Sequence, residues 1–293
     1  MSDNPPIEFA FPELRRWEKG AAPYIHVLES GKPGPAVMVA ALTHGNEVSG
    51  AVVVDALLAA GLKPRQGTLI FSFNNIEAYH SFDAKTPFKS RLVDEDFNRT
   101  WGRLDQPANT VETRRAQVVR PFIERADFLL DLHSMHDDGV PLMLSGPLDK
   151  GVALAKKVGT PVDIIRDAGH AAGMRMRDYG GFGDPKSPKN ALLIETGQHW
   201  RASSVVVAKD VTARFLAETG VVEVTHAVAT KRGNFTPVRH FEGQELIAEA
   251  GTVLGHDDGE PVTTPYDNCV LVMPSSNRPL RPGVTVVRLG RVM

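Results

Sequence analysis

The chain has 293 residues, 42% of them hydrophobic and 23% charged, enough to bury the core of a large domain and a small one. Lysine plus arginine is 33 and aspartate plus glutamate 35, a net charge of −2 that offers no field to nucleic acid or to an anionic membrane. No apolar run approaches the roughly 20 residues that span a bilayer, the start Met-Ser-Asp-Asn-Pro-Pro lacks the basic-then-apolar order of a signal peptide, and a cytoplasmic protein is expected.

Residues 1–35 are proline-rich and irregular, with one strand expected at Tyr24 to Glu29 as a sheet edge. Ala36 to Leu42 is an apolar run too short for a helix; it reads as a buried strand, and a helix-like stretch follows from Val48 to Ala60. Gly67 to Ile76 is a second such strand. From Glu77 to Asp105 the chain is charged and without periodicity, and loops of that length in a compact domain usually carry function. Asn109 to Ala126 reads as a helix with Asn109 as N-cap and Glu112 completing a capping box. Phe128 to His133 is another buried strand, ending in a histidine. Pro141 to Ser145, Lys150 to Val158 and Pro161 to Arg166 read as strand, helix and strand. Asp178 to Asn190 is dense in glycine and proline and has the composition of a mobile lid. Ala191 to Ile194 is a strand that runs into Glu195, and Ser203 to Thr219 is a helix ended by Gly220. This alternation predicts an α/β sheet with helices on both faces over residues 1–220.

After Gly220 short runs at Glu245 to Ala248, Val270 to Met273 and Val284 to Leu289 alternate with turns rich in glycine, proline and aspartate, which predicts a small all-β domain over 221–293. Its pattern is similar to the barrel-like hammerhead of biotinyl and lipoyl domains. Those carriers present a lysine at a hairpin tip, whereas Lys231, far upstream, is the sole lysine after Gly220, so a swinging-arm role is not expected.

Cys269 is the only cysteine, so any metal must be held by His, Asp and Glu. His44 and Glu47 follow the first buried strand, at the C-terminal strand end where α/β folds place their sites, and His133 closes another. Two imidazoles and a carboxylate are the ligand set of a catalytic zinc with one position open to water. Asp131, two residues before His133, faces the same side of its strand and can orient an imidazole. Arg91 and the pair Asn98-Arg99 lie in the long polar loop and suit recognition of a carboxylate, the arginine by its planar fork and the asparagine by its amide. Glu195, at the end of an apolar strand, is placed to act as a general base.

The ordered set His44-x-x-Glu47, Arg91, Asp96-Phe97-Asn98-Arg99, Asp131-Leu132-His133 and Ile194-Glu195-Thr196-Gly197 resembles the succinylglutamate desuccinylase and aspartoacylase family, relatives of zinc carboxypeptidases. The likeness spans roughly residues 36 to 200. It implies a carboxypeptidase-like mixed central sheet and one Zn2+ per subunit on His44, Glu47 and His133. It also implies that Arg91 polarises the scissile carbonyl, that Asn98 and Arg99 hold a substrate carboxylate, and that Glu195 is the general base and acid. The family carries a further substrate-reading arginine shortly before the catalytic glutamate, where this chain has only Lys186 and Lys189; Arg175 and Arg177 lie upstream. The acyl group is therefore left open by the sequence. His136, His199 and Trp200 are candidates to line the pocket.

The expected activity is zinc-dependent hydrolysis of the amide bond of a small N-acyl amino acid or N-acyl amine bearing a carboxylate. A metallocarboxypeptidase acting on short peptides and a catalytically silent zinc-bearing metabolite-binding protein are the alternatives. Residues 221–293 would roof the pocket or build a homo-oligomer contact.

Overall fold

The computed structural model describes residues 4–222, 224–231, 233–241, 245–267, 269–272 and 285–291. Seven strands, β1 (Ile25–Glu29), β2 (Ala36–Ala41), β3 (Thr68–Phe73), β4 (Phe128–Met135), β5 (Leu142–Leu144), β6 (Ile164–Ile165) and β7 (Asn190–Gln198), form one sheet in the order β1-β3-β2-β4-β7-β5-β6. The sheet is mixed: β3, β2, β4 and β7 run parallel, while β1 is antiparallel to β3 at one edge and β5 antiparallel to β7. Every residue of β2 and β3 is buried, as befits continuous apolar runs covered on both faces.

Alternate residues of one strand feed two cores. Val37, Val39 and Ala41 of β2 pack with residues of α1 (Ser49–Ala59), α4 (Asp149–Val158) and α5 (Ala202–Glu218), such as Val53, Leu154 and Phe215. Met38 and Ala40 face the other way, onto Phe97, Trp101 and the stripe Ala116, Val119 and Ile123 of α3 (Val111–Arg125). The predicted helices on both faces are therefore present.

Two local expectations are corrected. Thr110 rather than Asn109 caps α3: its hydroxyl accepts from the Thr113 N–H, and the Thr113 hydroxyl accepts from the Thr110 N–H. Glu112 is thereby free to turn inward, where its buried carboxylate accepts from the backbone N–H groups of Val93, Asp94 and Glu95 and from Asn75 Nδ2. A buried carboxylate with four donors is well satisfied, and it orders the loop that leads into Asp96. The second correction concerns the glycine-rich segment after Asp178. It is packed rather than a free lid, with Phe182 buried and Lys150 Nζ donating to the carbonyls of Gly181, Asp184 and Ser187.

Beyond α5 the described residues contain strands and no helix. β8 (Val224–Ala229), β10 (Leu246–Ile247), β13 (Cys269–Val272) and β14 (Thr285–Arg291) form one sheet, and β9 (Phe235–Pro237), β11 (Val253–Asp257) and β12 (Glu260–Thr263) another. Ile247, Leu254, Cys269, Leu271, Val286 and Leu289 belong to their shared core. Met273 and Val284, at the ends of two predicted strands, lie outside the described residues. No helix among the described residues is long and apolar enough to cross a membrane.

Candidate metal centre and active site

The site is built where β2 turns into α1. Leu42 leaves the strand at φ 57°, a left-handed conformation that costs a non-glycine residue about 1–2 kcal/mol, and its carbonyl accepts from the Asn75 N–H at 2.7 Å. Gly45 comes so close to a neighbouring turn that a Cβ there would lie 2.4 Å from the Ser90 carbonyl oxygen. Its N–H donates to the Arg91 carbonyl at 3.0 Å, which docks the arginine loop on the His44-Glu47 turn. Trp200, fully buried, donates from Nε1 to the Asn46 carbonyl and holds the same turn from the other side.

His44, Glu47 and His133 are all buried, and their ligand atoms lie within 4.8 Å of one another. His44 Nδ1 is 2.8 Å from Glu47 Oε1, and His133 Nδ1 is 2.9 Å from Glu47 Oε2. The outer nitrogens face carboxylates: His44 Nε2 lies 3.0 Å from Asp96 Oδ1, and His133 Nε2 lies 2.8 Å from Asp131 Oδ2. Asp131 is itself fixed by the Thr43 hydroxyl at 2.7 Å. Inward nitrogens around one carboxylate, with outward nitrogens each backed by another, are the arrangement of imidazoles that hold a metal. With two imidazoles and one carboxylate as donors, the residues present fit a zinc ion.

The charged groups of the cluster act strongly on one another. Burial alone would raise the Glu47 pKa, but the fields and contacts of His44 and His133 outweigh it and hold the carboxylate well below its ordinary range. For Asp96 burial is likewise outweighed, by His44, Arg99 and Arg91, and its pKa is lowered. Burial would lower the His133 pKa, yet Asp131 and Glu47 raise it well above that of a free imidazole.

Glu195 differs from these. It is a register partner of His133 on the adjacent parallel strand, and its Oε2 is buried with no hydrogen-bond partner among the described residues. Burial, reinforced by the charge of Glu47, pushes its pKa up to about 8. An unpaired carboxylate that prefers a proton near neutrality is suited to proton transfer. Thr196 braces the strand end, its hydroxyl donating to the His133 carbonyl at 2.9 Å and meeting Ser49 Oγ at 2.9 Å.

Arg91 reaches the centre itself, with Nη1 2.8 Å from Glu47 Oε1 and Nη2 2.9 Å from His44 Nε2. Asn98 is buried; its Oδ1 accepts from the Met176 N–H at 2.8 Å and its Nδ2 lies 3.4 Å from His133 Nε2. The Arg99 guanidinium makes one hydrogen bond among the described residues, to the Asn98 carbonyl at 2.8 Å, and stands 4.0 Å from Asp96 Oδ2. Partial burial lowers its pKa, the mark of a cation short of counter-charge. Arg175 and Arg177 are committed elsewhere. Arg177 donates to the carbonyls of Ser145 and Ala191, and Arg175 lies 2.7 Å from Asp178 Oδ2 and 2.6 Å from Asp167 Oδ2. Lys189 is bonded to the Glu124 carbonyl near the end of α3.

Sequence reasoning assigned no role to Asp96 or to the Ser134 backbone, both of which the structure brings to the centre, and it offered His199 only as a candidate to line the pocket. Asp96 was visible only as a letter of a motif, yet it faces His44. The Ser134 N–H donates to Glu47 Oε2 at 3.1 Å, a backbone role without sequence signal. His199 is fully buried, 2.8 Å from Ser134 Oγ through Nδ1, with its pKa pushed by burial down to about 4. Beside it His136 stacks on Phe88 at 4.2 Å.

The profile of the succinylglutamate desuccinylase/aspartoacylase catalytic domain matches residues 33–218. Several solved structures share the fold. The product-bound ectoine utilization protein of Ruegeria pomeroyi is 18% identical, with a TM-score of 0.54 over 91% of this chain and 88% of that one. A succinylglutamate desuccinylase from a Silicibacter species is 19% identical, with a TM-score of 0.55 over 100% of both chains. An aspartoacylase family protein of Mesorhizobium loti is 18% identical, with a TM-score of 0.52 over 92% of this chain and 88% of that one. A comparison with curated proteins gave no match. The profile covers more than half of the chain and includes both strand ends that carry His44, Glu47 and His133. The chain therefore belongs to the succinylglutamate desuccinylase/aspartoacylase family of hydrolases.

Proposed function

We propose that the chain is a zinc-dependent deacylase that cleaves the amide bond of a small N-acyl amino acid or N-acyl amine carrying a carboxylate. The observation that carries this reading is the convergence of two imidazoles on Glu47 with the unpartnered Glu195 carboxylate placed opposite His133. Zinc held by His44, Glu47 and His133 would supply a Lewis acid and an acidified water. Glu195 takes a proton from the attacking water and returns it to the leaving nitrogen. Arg91, half-exposed at the edge of the centre, turns from Glu47 to the developing oxyanion; a donor in that role is worth about 100-fold to 1,000-fold in rate. Arg99 grips the substrate carboxylate with Asn98 beside it, which supplies position rather than chemistry.

With Arg175, Arg177 and Lys189 committed to the fold, Arg99 is the clamp best able to accept a new anion. This supports a substrate held by one carboxylate at that end. We assign residues 1–220 as the catalytic unit and 221–293 as an accessory β unit.

The test is a panel of N-acyl amino acids, acylated diamines and short peptides incubated with zinc-loaded protein, with amine release followed by mass spectrometry. Release from small N-acyl compounds alone supports the deacylase. Release of C-terminal residues from peptides would replace it with a carboxypeptidase.

A further inference from the structure

We propose that His136 and His199 form a second binding site, for a borderline divalent transition ion such as Zn2+, beside the centre made by His44, Glu47 and His133. His199 Nε2 lies 3.3 Å from His136 Nδ1. Two nitrogens on one tetrahedral zinc, each bonded at about 2.0–2.1 Å, stand about 3.3–3.4 Å apart. The ring geometry repeats that of the first centre. The His136 and His199 rings have centroids 5.2 Å apart at 69°, and the His44 and His133 rings 5.1 Å apart at 68°.

Both imidazoles are held in place by the fold. His199 is fully buried and its other nitrogen lies 2.8 Å from Ser134 Oγ, the kind of outer contact that fixes a ligating ring. His136 is exposed, but its carbonyl accepts from Gln198 Nε2 at 3.2 Å and its ring stacks on Phe88 with an interplanar angle of 17°. The pair has no third protein ligand among the described residues, since the one group of three or more is the first centre. Water or an anion would fill the remaining positions, so the ion binds more weakly than at the first centre and exchanges. Imidazole nitrogens select zinc, copper or nickel over calcium and magnesium.

The first centre and this one meet at Ser134, whose N–H holds Glu47 and whose hydroxyl contacts His199. The proposal does not depend on which substrate the enzyme cleaves. Zinc-loaded protein is dialysed against micromolar free Zn2+ and the metal bound per chain is counted. The wild type is expected to hold two equivalents, and His136→Phe and His199→Gln one each. His136→Phe changes an exposed ring and keeps an aromatic partner for Phe88, so the fold is spared. One equivalent in the wild type, or two in both variants, overturns the second site while leaving the first intact. No bound zinc at all would overturn both.

Discussion

His133 on β4 and Glu195 on β7 are register partners on neighbouring parallel strands, so an imidazole of the candidate metal centre and a carboxylate whose Oε2 is buried without a partner among the described residues share one face of the sheet. Replacing Glu195 with glutamine keeps the shape and removes the proposed base. We expect Glu195→Gln to retain its metal and to lose turnover by about 100-fold to 10,000-fold, the usual worth of a general base. Metal content and amine release measured on one preparation check this. Wild-type turnover in that variant would remove Glu195 from the chemistry.

The same residue predicts a pH dependence of stability in the metal-free protein. Its pKa in the folded chain is raised by burial from 4.5 to about 8, so the folded state binds the proton more tightly than the unfolded one. Its stabilising contribution is full below about pH 4.5 and is lost as pH rises through about 8. Glu195→Gln cannot ionise. Relative to the variant, the chelated wild type should lose melting temperature steadily between these values, and a constant difference across that range would contradict the assignment.

Asp96 faces the outer nitrogen of His44 at 3.0 Å. Outer carboxylates of this kind are typically worth about 10-fold to 100-fold in metal affinity, so Asp96→Asn should weaken zinc binding by that factor in a chelator competition. Unchanged affinity would mean that His44 needs no such support.

Glu112 is remote from the chemistry but holds three consecutive N–H groups ahead of Asp96. Glu112→Ala removes the acceptor of those N–H groups and of the buried Asn75 amide, and a buried group left unsatisfied costs about 1–3 kcal/mol. Denaturant unfolding should show that loss. A midpoint equal to that of the wild type would show the loop to be ordered by other contacts.

Arg99→Ala should raise the Michaelis constant for carboxylate-bearing substrates and leave that for their amide counterparts unchanged. Equal effects on both would count against the clamp.

The sheet was legible in the sequence because its central strands are short apolar runs buried on both faces, and their polar ends carry the candidate site: His44 and Glu47 after β2, His133 in β4, Glu195 in β7. What was not legible depends on contacts between distant segments. Glu112 fits a capping-box pattern, and only the fold shows the loop N–H groups that draw it inward. A run of glycine and proline after Asp178 has loop composition, and Lys150, far earlier in the chain, is what binds it down. His136 and His199 carry no spacing that distinguishes them from surface histidines, and they meet because β4 and β7 are neighbours. Leu42 adopts a left-handed turn that its side chain does not advertise.

The most direct test of the account is amine release from one good N-acyl amino acid by zinc-loaded, chelated and zinc-restored protein. Release should disappear on chelation and return with zinc in proportion to the metal bound. Full release by protein shown to be metal-free would contradict a hydrolase centred on His44, Glu47 and His133.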